Sequence, residues 1–195
     1  TGCTSLTRTA VTLEILAAPV APVSGGDQSE CELDPIQSLT ATASVGAGET
    51  VTWYDAATGG NVVADPSLSS VGSVTYYAES SNDTTGCTSL TRTAVTLEIL
   101  AAPMAPSIVS PQEFCVEASI KDIQVNDDII VWYDAPQGGD VLNSDYQFTS
   151  TTTIYAAVFS DGCQSITRTP VTVEIVSLPT PISLENEIKF CIEQN

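Results

Sequence analysis

The stretch TGCTSLTRTAVTLEILAAP, residues 85–103, decides the fold of this chain. Its apolar residues Val95, Leu97 and Ile99 alternate with small or polar ones, which is the period-two pattern of a strand with one buried face. The stretch runs into AAPMAP, where closely spaced prolines remove backbone donors and favour extended geometry. It therefore predicts the last strand of a β-domain, followed by a short and stiff joint.

The same stretch recurs along the chain and sets its divisions. An identical copy begins at Thr1, and a looser copy, DGCQSITRTPVTVEIVSLP, begins at Asp161. Copies of one stretch that are spaced this widely along a chain indicate an array of similar domains. The predicted divisions are the closing strand of a preceding repeat (1–16), two complete repeats (17–100 and 101–176) and the start of a following repeat (177–195).

Between these copies the chain is rich in turn signals and shows no helical stripe. In the first complete repeat we predict a second strand over Ser38–Ser44, and we interpret the polar stretch 24–35 before it as a loop. About seven short strands at intervals of 8 to 12 residues are typical of an antiparallel sandwich. Trp53 and Trp132, in the similar strands VTWYDA and VWYDA, are the expected core residues. The predicted fold class is all-β, with tandem immunoglobulin-like antiparallel β-sandwiches joined by short proline-containing linkers.

Charge and residue types exclude several functions. The 195 residues include 24 acidic and only 5 basic side chains, for a net charge of −19, and no histidine. Nucleic acids and anionic membranes need a basic footprint, so neither is an expected partner. No apolar run reaches the roughly 20 residues that span a bilayer. Without histidine there is no Ser-His or Cys-His pair, and no carboxylate shows a motif of a tuned acid, so we predict no enzyme and no catalytic residue.

Six cysteines recur in two alternating contexts, without any CxxC motif. They are Cys3, Cys31, Cys87, Cys115, Cys163 and Cys191. The first, third and fifth each follow a glycine at the head of the repeated stretch, and each of the others comes 28 residues later. An even, periodic set without metal-ligand spacing predicts disulfides, and hence an extracellular or cell-surface location.

Three pairing schemes remain open from the sequence. Bonds within a repeat would join Cys31 to Cys87 and Cys115 to Cys163. Bonds along the joints would join Cys3 to Cys31, Cys87 to Cys115 and Cys163 to Cys191. A bond across stacked repeats would join Cys31 to Cys163. In seven-strand order the within-repeat cysteines lie at opposite ends of the sandwich, beyond the 4.4 to 6.8 Å Cα separation of a disulfide, but one strand more or fewer would restore that bond.

Three motifs together resemble a known repeat family. The WYDAxxGG turn, the TYYA or TIYAA strand and the GCxSxTRTxVTxEI strand are similar to the immunoglobulin-like repeats of very large secreted surface proteins of Bacteroidota, including gliding and surface adhesins exported by type IX secretion. The resemblance implies a stalk or fibre segment of an adhesin, with neighbouring repeats, glycans or other surface proteins as partners. The alternative that it leaves open is a carbohydrate-binding or spacer module of a secreted polysaccharide-degrading enzyme.

Arginine and tyrosine form a candidate outer-face patch. By strand parity the TRT arginines face outward near tyrosines of neighbouring strands, and we expect Arg92 beside Glu98. One interpretation is a cation resting on tyrosine rings and paired with a carboxylate, which stabilises the domain. The other is a platform that binds glycan or another repeat. The candidate residues are Arg92, Arg168, Tyr54, Tyr77, Tyr133 and Tyr155.

Two further sites are candidates. We predict no cofactor, but two acidic clusters have the oxygen ligands that suit calcium, although neither contains a DxDxDG loop. They comprise Asp27, Glu30, Glu32 and Asp34 in one repeat, and Asp122, Asp127 and Asp128 in the next. The triplet Asp83–Thr85 resembles the O-glycosylation acceptor of Bacteroidota, with Thr84 as the modified residue, and Asn82 to Thr84 also form an N-glycan sequon.

Overall fold

A computed structural model describes residues 2–3, 6–115, 117–126 and 129–177. The chain divides into two units, Thr1–Ala102 and Pro103–Asn195. The described part of each unit is built from β-strands. Among the described residues, the one helical element is a single 3-10 turn at Ile120–Asp122 in the second unit. The prediction of an all-β chain with two tandem immunoglobulin-like sandwiches is confirmed.

The first unit has one large sheet and two short strand pairs. Its strands are β1 (Val23–Ser24), β2 (Gln28–Cys31), β3 (Leu39–Thr40), β4 (Ala43–Ser44), β5 (Glu49–Tyr54), β6 (Val62–Val63), β7 (Ser67–Leu68), β8 (Gly72–Asn82) and β9 (Thr93–Leu100). The large sheet has the order β2-β9-β8-β5-β6, in which β2 runs parallel to β9 and the other pairs are antiparallel. The pairs β1-β4 and β3-β7 are antiparallel.

The second unit repeats this construction. Its strands are β10 (Gln112–Phe114), β11 (Ala118–Ser119), β12 (Ile130–Tyr133), β13 (Val141–Leu142), β14 (Gln147–Phe148), β15 (Thr152–Ser160), β16 (Cys163–Gln164) and β17 (Thr169–Ile175). The large sheet has the order β10-β17-β15-β12-β13, with β10 parallel to β17, and β11 pairs with β14. The additional short strand β16 pairs with the end of β15.

The repeated stretch forms the centre of each core. Val95, Leu97 and Ile99 on β9 are at most 1% exposed, as the alternation predicts. Trp53 packs against this cluster from β5, and Trp132 is buried in the corresponding cluster of the second unit. Both tryptophans therefore serve the cores, where large aromatic side chains remove the most apolar surface from water.

Two strand predictions are wrong. The predicted strand Ser38–Ser44 is two short strands, because β3 pairs with β7 while β4 pairs with β1. The polar stretch 24–35 contains β2, an edge strand that hydrogen-bonds to β9. An edge strand with mostly solvent-facing polar side chains carries no hydrophobic alternation, so the sequence pattern did not reveal it.

Candidate functional site

Arg92 lies at the centre of the predicted patch in the first unit. Its guanidinium carbon is 3.3 Å from the ring centroid of Tyr54, and its Nε donates to Glu79 Oε2 at 3.1 Å. The hydroxyl of Tyr54 donates to the other oxygen of Glu79 at 3.2 Å. The Arg92 and Glu79 side chains are only 10% and 17% exposed, so this ion pair is screened less than one on an open surface.

The same guanidinium also holds a turn in place. Its Nη1 donates to the carbonyl of Ala56 at 2.8 Å and to that of Gly59 at 2.6 Å, both in the hairpin between β5 and β6. Because arginine presents several donors in a fixed planar fork, one side chain can stack on a ring, pair with a carboxylate and bind two carbonyls. Arg92 therefore fixes the WYDAxxGG turn to the start of β9.

Asp55 stabilises the same turn by hydrogen bonds across it. Its carboxylate accepts from the backbone N of Asn61 at 2.7 Å and from Nδ2 of Asn61 at 2.9 Å, which holds the pKa of Asp55 below its ordinary value. Gly60 has φ +74°, and a Cβ there would lie 2.3 Å from Asp55 Oδ1. The final glycine of the motif is thus required both for its backbone conformation and for space.

The second unit uses the same arrangement with one substitution. Arg168 lies 3.3 Å from the ring centroid of Tyr133, and its Nη1 donates to the carbonyls of Ala135 and Gly138, each at 2.7 Å. Ala157 stands where the first unit has Glu79, and the Tyr133 hydroxyl donates to Gln164 Oε1 at 2.9 Å. The turn clamp is therefore common to both units, whereas the ion pair belongs to the first.

The threonine after each arginine holds the segment at the start of its own unit. Thr93 Oγ1 donates to the carbonyl of Pro22 at 2.5 Å, and Thr169 Oγ1 donates to that of Pro106. Both prolines are buried. The TRT motif thus connects the closing strand to a hairpin turn through its arginine and to the entering chain through its second threonine.

The serine of GCxS completes the set of clamps. Ser89 Oγ accepts from the backbone N of Ser80 at 3.2 Å and donates to the carbonyl of Thr91 at 2.9 Å. Ser165 makes the same two bonds, with the backbone N of Val158 and the carbonyl of Thr167. Both serines are buried, so their hydroxyls satisfy backbone groups that would otherwise be costly to bury.

The structure brings together part of the predicted patch and corrects one contact. Tyr54 faces Tyr77 in the β5-β8 register, and Tyr133 faces Tyr155 in the β12-β15 register. The predicted contact between Arg92 and Glu98 is wrong. The Glu98 carboxylate instead accepts a hydrogen bond from Ser29 Oγ on β2 at 2.9 Å. Arg92 comes just before β9 and therefore lies beside Glu79, near the end of β8. Glu98 lies too far along β9 to reach it, because a strand rises about 3.3 Å per residue.

The cysteines differ in state. Cys31 and Cys163 are disulfide-bonded, whereas Cys3, Cys87 and Cys115 are free thiols. The within-repeat scheme is therefore wrong, and so are the joint bonds from Cys3 to Cys31 and from Cys87 to Cys115. The joint bond from Cys163 to Cys191 involves a residue outside the described part of the chain. The pairing of Cys31 with Cys163 stays a prediction.

The geometry of the first unit explains why the within-repeat bond fails. Cys31 faces Leu100 at the end of β9, while Cys87 comes before Thr93 at its start. The seven residue steps of this strand span about 23 Å, several times the Cα separation that a disulfide tolerates. The added strand β2 places Cys31 at the far end of the sheet.

The predicted acidic clusters are spread along structural elements. Asp27 Oδ1 accepts from the backbone N of Thr96 at 2.7 Å, and Glu32 Oε2 accepts from that of Ala102 at 3.2 Å. The Asp122 carboxylate accepts from Ser119, which lowers the pKa of Asp122. Within the described ranges, no three His, Cys, Asp or Glu side chains are grouped closely enough to hold a metal ion. Asp127 and Asp128 lie outside those ranges.

Thr84 lies in an ordered turn between β8 and β9. The side-chain oxygen of Asn82 accepts from the backbone N of Thr84 at 3.0 Å and from that of Thr85 at 2.9 Å. The side chains of Asp83, Thr84 and Thr85 are exposed. The loop thus presents the predicted acceptor threonine to solvent.

The sandwich topology and the repeated clamps define a protein made of tandem immunoglobulin-like modules. The chain belongs to the family described as "Ig-like domain CHU_C associated", which matches residues 19–100 and 103–176. No curated protein sequence matches the chain. In the described residues, no helix is both long and apolar enough to cross a membrane.

The comparison with solved structures finds matches of low similarity in other proteins built from modules. The fibronectin(III)-like modules of Clostridium thermocellum CbhA are 16% identical, with 82% of this chain and 92% of that chain covered and a TM-score of 0.38. The titin I-band fragment I67-I69 is 12% identical, with 84% and 67% covered and a TM-score of 0.40. Sidekick-1 immunoglobulin domains 1-5 are 12% identical, with a TM-score of 0.35, and this chain covers 40% of that chain while 82% of its own length is aligned.

Proposed function

We propose that this chain is a structural segment of an extracellular surface protein, in which the modules act as spacers of an adhesin stalk. The observation that carries the proposal is that the polar residues of the repeated motifs are engaged in contacts inside their own module. Arginine, threonine and serine of GCxSxTRT, and aspartate and glycine of WYDAxxGG, all form contacts within their own module. The two modules share these residues, and the residues hold each module together. This supports a role in which the main requirement on a module is its own stability.

Charge and cysteine chemistry support the extracellular part of the proposal. A net charge of −19 favours mutual repulsion and solubility of a crowded surface protein. Disulfides persist mainly in oxidising compartments, and Cys31 and Cys163 are both disulfide-bonded. Neighbouring repeats of the same chain are the proposed partners, because similar modules in tandem interact chiefly with the modules beside them. A role in gliding or in surface attachment would belong to the whole protein.

A replacement experiment tests the spacer role. In the parent protein, residues 17–176 are exchanged for two immunoglobulin-like modules of unrelated sequence and equal number, and surface attachment of the cells is measured. A spacer predicts that attachment is kept by the exchange and reduced when the two modules are deleted. Loss of attachment in the exchanged protein would contradict the proposal.

A binding assay addresses the alternative of a carbohydrate-binding module in a polysaccharide-degrading enzyme. The purified chain is applied to a glycan array beside the variant Tyr77→Ala/Tyr155→Ala, which removes rings of the outer face that the arginine clamps do not stack upon. A spacer predicts no signal from either protein. Binding by the parent chain that the variant loses would instead favour the carbohydrate-binding module.

We also propose Thr84 as an O-glycosylation site. The exposed side chain in a hydrogen-bonded turn supports this, since a modifying enzyme must reach the hydroxyl. Intact-mass and peptide analysis of the protein from its native host should show a glycan on the peptide that contains Thr84. The matched variant Thr88→Ala should keep that glycan and Thr84→Ala should lose it; an unmodified native peptide would contradict the assignment.

A further inference from the structure

The second unit has an apolar cleft of about 420 Å³ beside the short strand β13. Trp132, which is buried in the core of this unit, lines the cleft, and the apolar side chains around it include Ile120, Val125, Val141 and Leu142. Sites for small molecules have volumes of about 300 to 1,000 Å³, with mostly apolar walls and a few polar groups. The cleft therefore has the size and the lining of a small-molecule site.

The 3-10 turn forms one wall and places a cation at the cleft. The Asp122 carboxylate holds this turn by accepting from the backbone N and from Oγ of Ser119, both at 2.7 Å. Ile120 is thereby buried, while Lys121 lines the cleft with its side chain 62% exposed. Of the basic side chains in the described ranges, Lys121 is the one outside the TRT motifs. This cation is therefore not used in the arginine clamps.

The opposite wall offers a backbone donor. β13 pairs with β12 only at Trp132 and Tyr133, so it does not cover the residues before them. Phe159 N donates to the carbonyl of Ile129 at 3.1 Å, and the alternation of an antiparallel pair then turns the backbone groups of Ile130 away from β15. Ile130 lines the cleft. Its backbone N–H is thus directed toward the side on which a ligand would lie.

The ion pair at the cleft is open to exchange. Lys121 Nζ pairs with the carboxylate of Asp145, whose side chain is 77% exposed. An ion pair this open to water is weak, so the anion of a ligand can replace Asp145. The chain has a net charge of −19, but charges farther away than about 8 Å are largely screened at physiological ionic strength. The local cation therefore decides which sign of charge the cleft accepts.

We propose that this cleft binds a free, small carboxylate with an apolar body. The carboxylate pairs with Lys121, and the hydrocarbon part lies over Trp132 between the apolar walls. Hydrocarbon that displaces water from these walls supplies affinity, and the cation supplies complementarity for the head group. The proposal goes beyond the spacer role, and its failure would leave that role unaffected.

Titration of the full chain with octanoate, followed by NMR, tests the proposal. We expect saturable shifts of the Trp132 indole and of the backbone amides of Ile120 and Ile130, with a dissociation constant on the order of 1 mM. Trp53 is the counterpart of Trp132 in the first unit, so its indole is the internal control and should not shift. No saturable change at Trp132, or equal changes at both tryptophans, would overturn the proposal.

Substitutions at the ion pair test the recognition of charge. Lys121→Gln should weaken octanoate binding by about threefold or more, and Asp145→Asn, which frees the cation, should strengthen it by about twofold. The matched control is Glu113→Gln on β10, at the opposite edge of the same sheet, which changes the net charge as Asp145→Asn does and should leave binding unchanged. All three side chains are exposed, so the variants should melt like the unaltered chain. Binding that Lys121→Gln leaves intact, or an equal gain from both acid substitutions, would contradict the proposal.

A ligand of opposite charge decides the case in which a variant does not fold. Octylammonium has the same hydrocarbon body as an alkyl carboxylate of this size and is titrated into the unaltered chain. It should bind at least about tenfold more weakly than octanoate, because its head group meets Lys121 with like charge. Octylammonium that binds at the Trp132 indole as tightly as octanoate would show that the cleft does not select a carboxylate.

Discussion

The guanidinium of Arg92 stacks on the ring of Tyr54 at 3.3 Å, and Arg168 stacks on Tyr133 at the same distance. In each unit the arginine stands just before the closing strand, and the tyrosine ends the strand before the turn that the arginine holds. This relationship joins the two most recognisable motifs of the sequence into one structural unit. It also explains why these motifs recur together.

Replacing Arg92 with alanine should destabilise the first unit. The change removes the ring contact and the Glu79 ion pair, and it leaves the carbonyls of Ala56 and Gly59 without their donor. The combined loss is expected to be about 2 to 4 kcal/mol in the free energy of unfolding. Urea unfolding measures it. Arg168→Ala, which breaks no ion pair, should cost less, and an equal or larger cost there would argue against the contribution of Glu79.

Gly60→Ala should destabilise the hairpin more than Gly59→Ala. Both positions have positive φ, so an alanine at either is strained by about 1 to 2 kcal/mol. A Cβ at position 59 meets open space, whereas one at position 60 lies 2.3 Å from Asp55 Oδ1 and displaces that carboxylate. Thermal melting of the two variants compares these costs directly. Equal melting temperatures would show that the turn yields to the added atom.

The pKa of Asp55 predicts a loss of stability in acid. Hydrogen bonds from Asn61 lower the pKa of this carboxyl in the folded chain, so the contribution is present above its unfolded value, near 3.9, and is lost as the pH falls through the lower folded value. Urea unfolding at pH 7 and pH 3 should show a smaller acid loss in Asp55→Asn than in the unaltered chain. An unchanged pH dependence would contradict the assignment. Asp122→Asn provides the corresponding test in the second unit.

Alkylation should separate the cysteines into two groups. In denaturant without reductant, Cys3, Cys87 and Cys115 should react, because they are free thiols. Cys31 and Cys163 should react only after reduction. Peptide mapping by mass spectrometry makes both measurements, and the non-reduced digest also tests the predicted pairing of Cys31 with Cys163. Resistance of Cys87 or Cys115 before reduction would show that another pairing is populated.

The sequence determined the fold class, the closing strand of each module and the burial of Val95, Leu97 and Ile99. Those properties follow from the alternation of apolar and polar residues along the strand, a pattern that can be recognised from a few neighbouring residues. The tertiary structure alone decided that Arg92 pairs with Glu79, that Gln28–Cys31 forms an edge strand, and that Cys31 is kept away from Cys87. Each of these depends on which strands lie side by side and in what register, and contacts between residues distant in sequence leave no periodic signal in the chain.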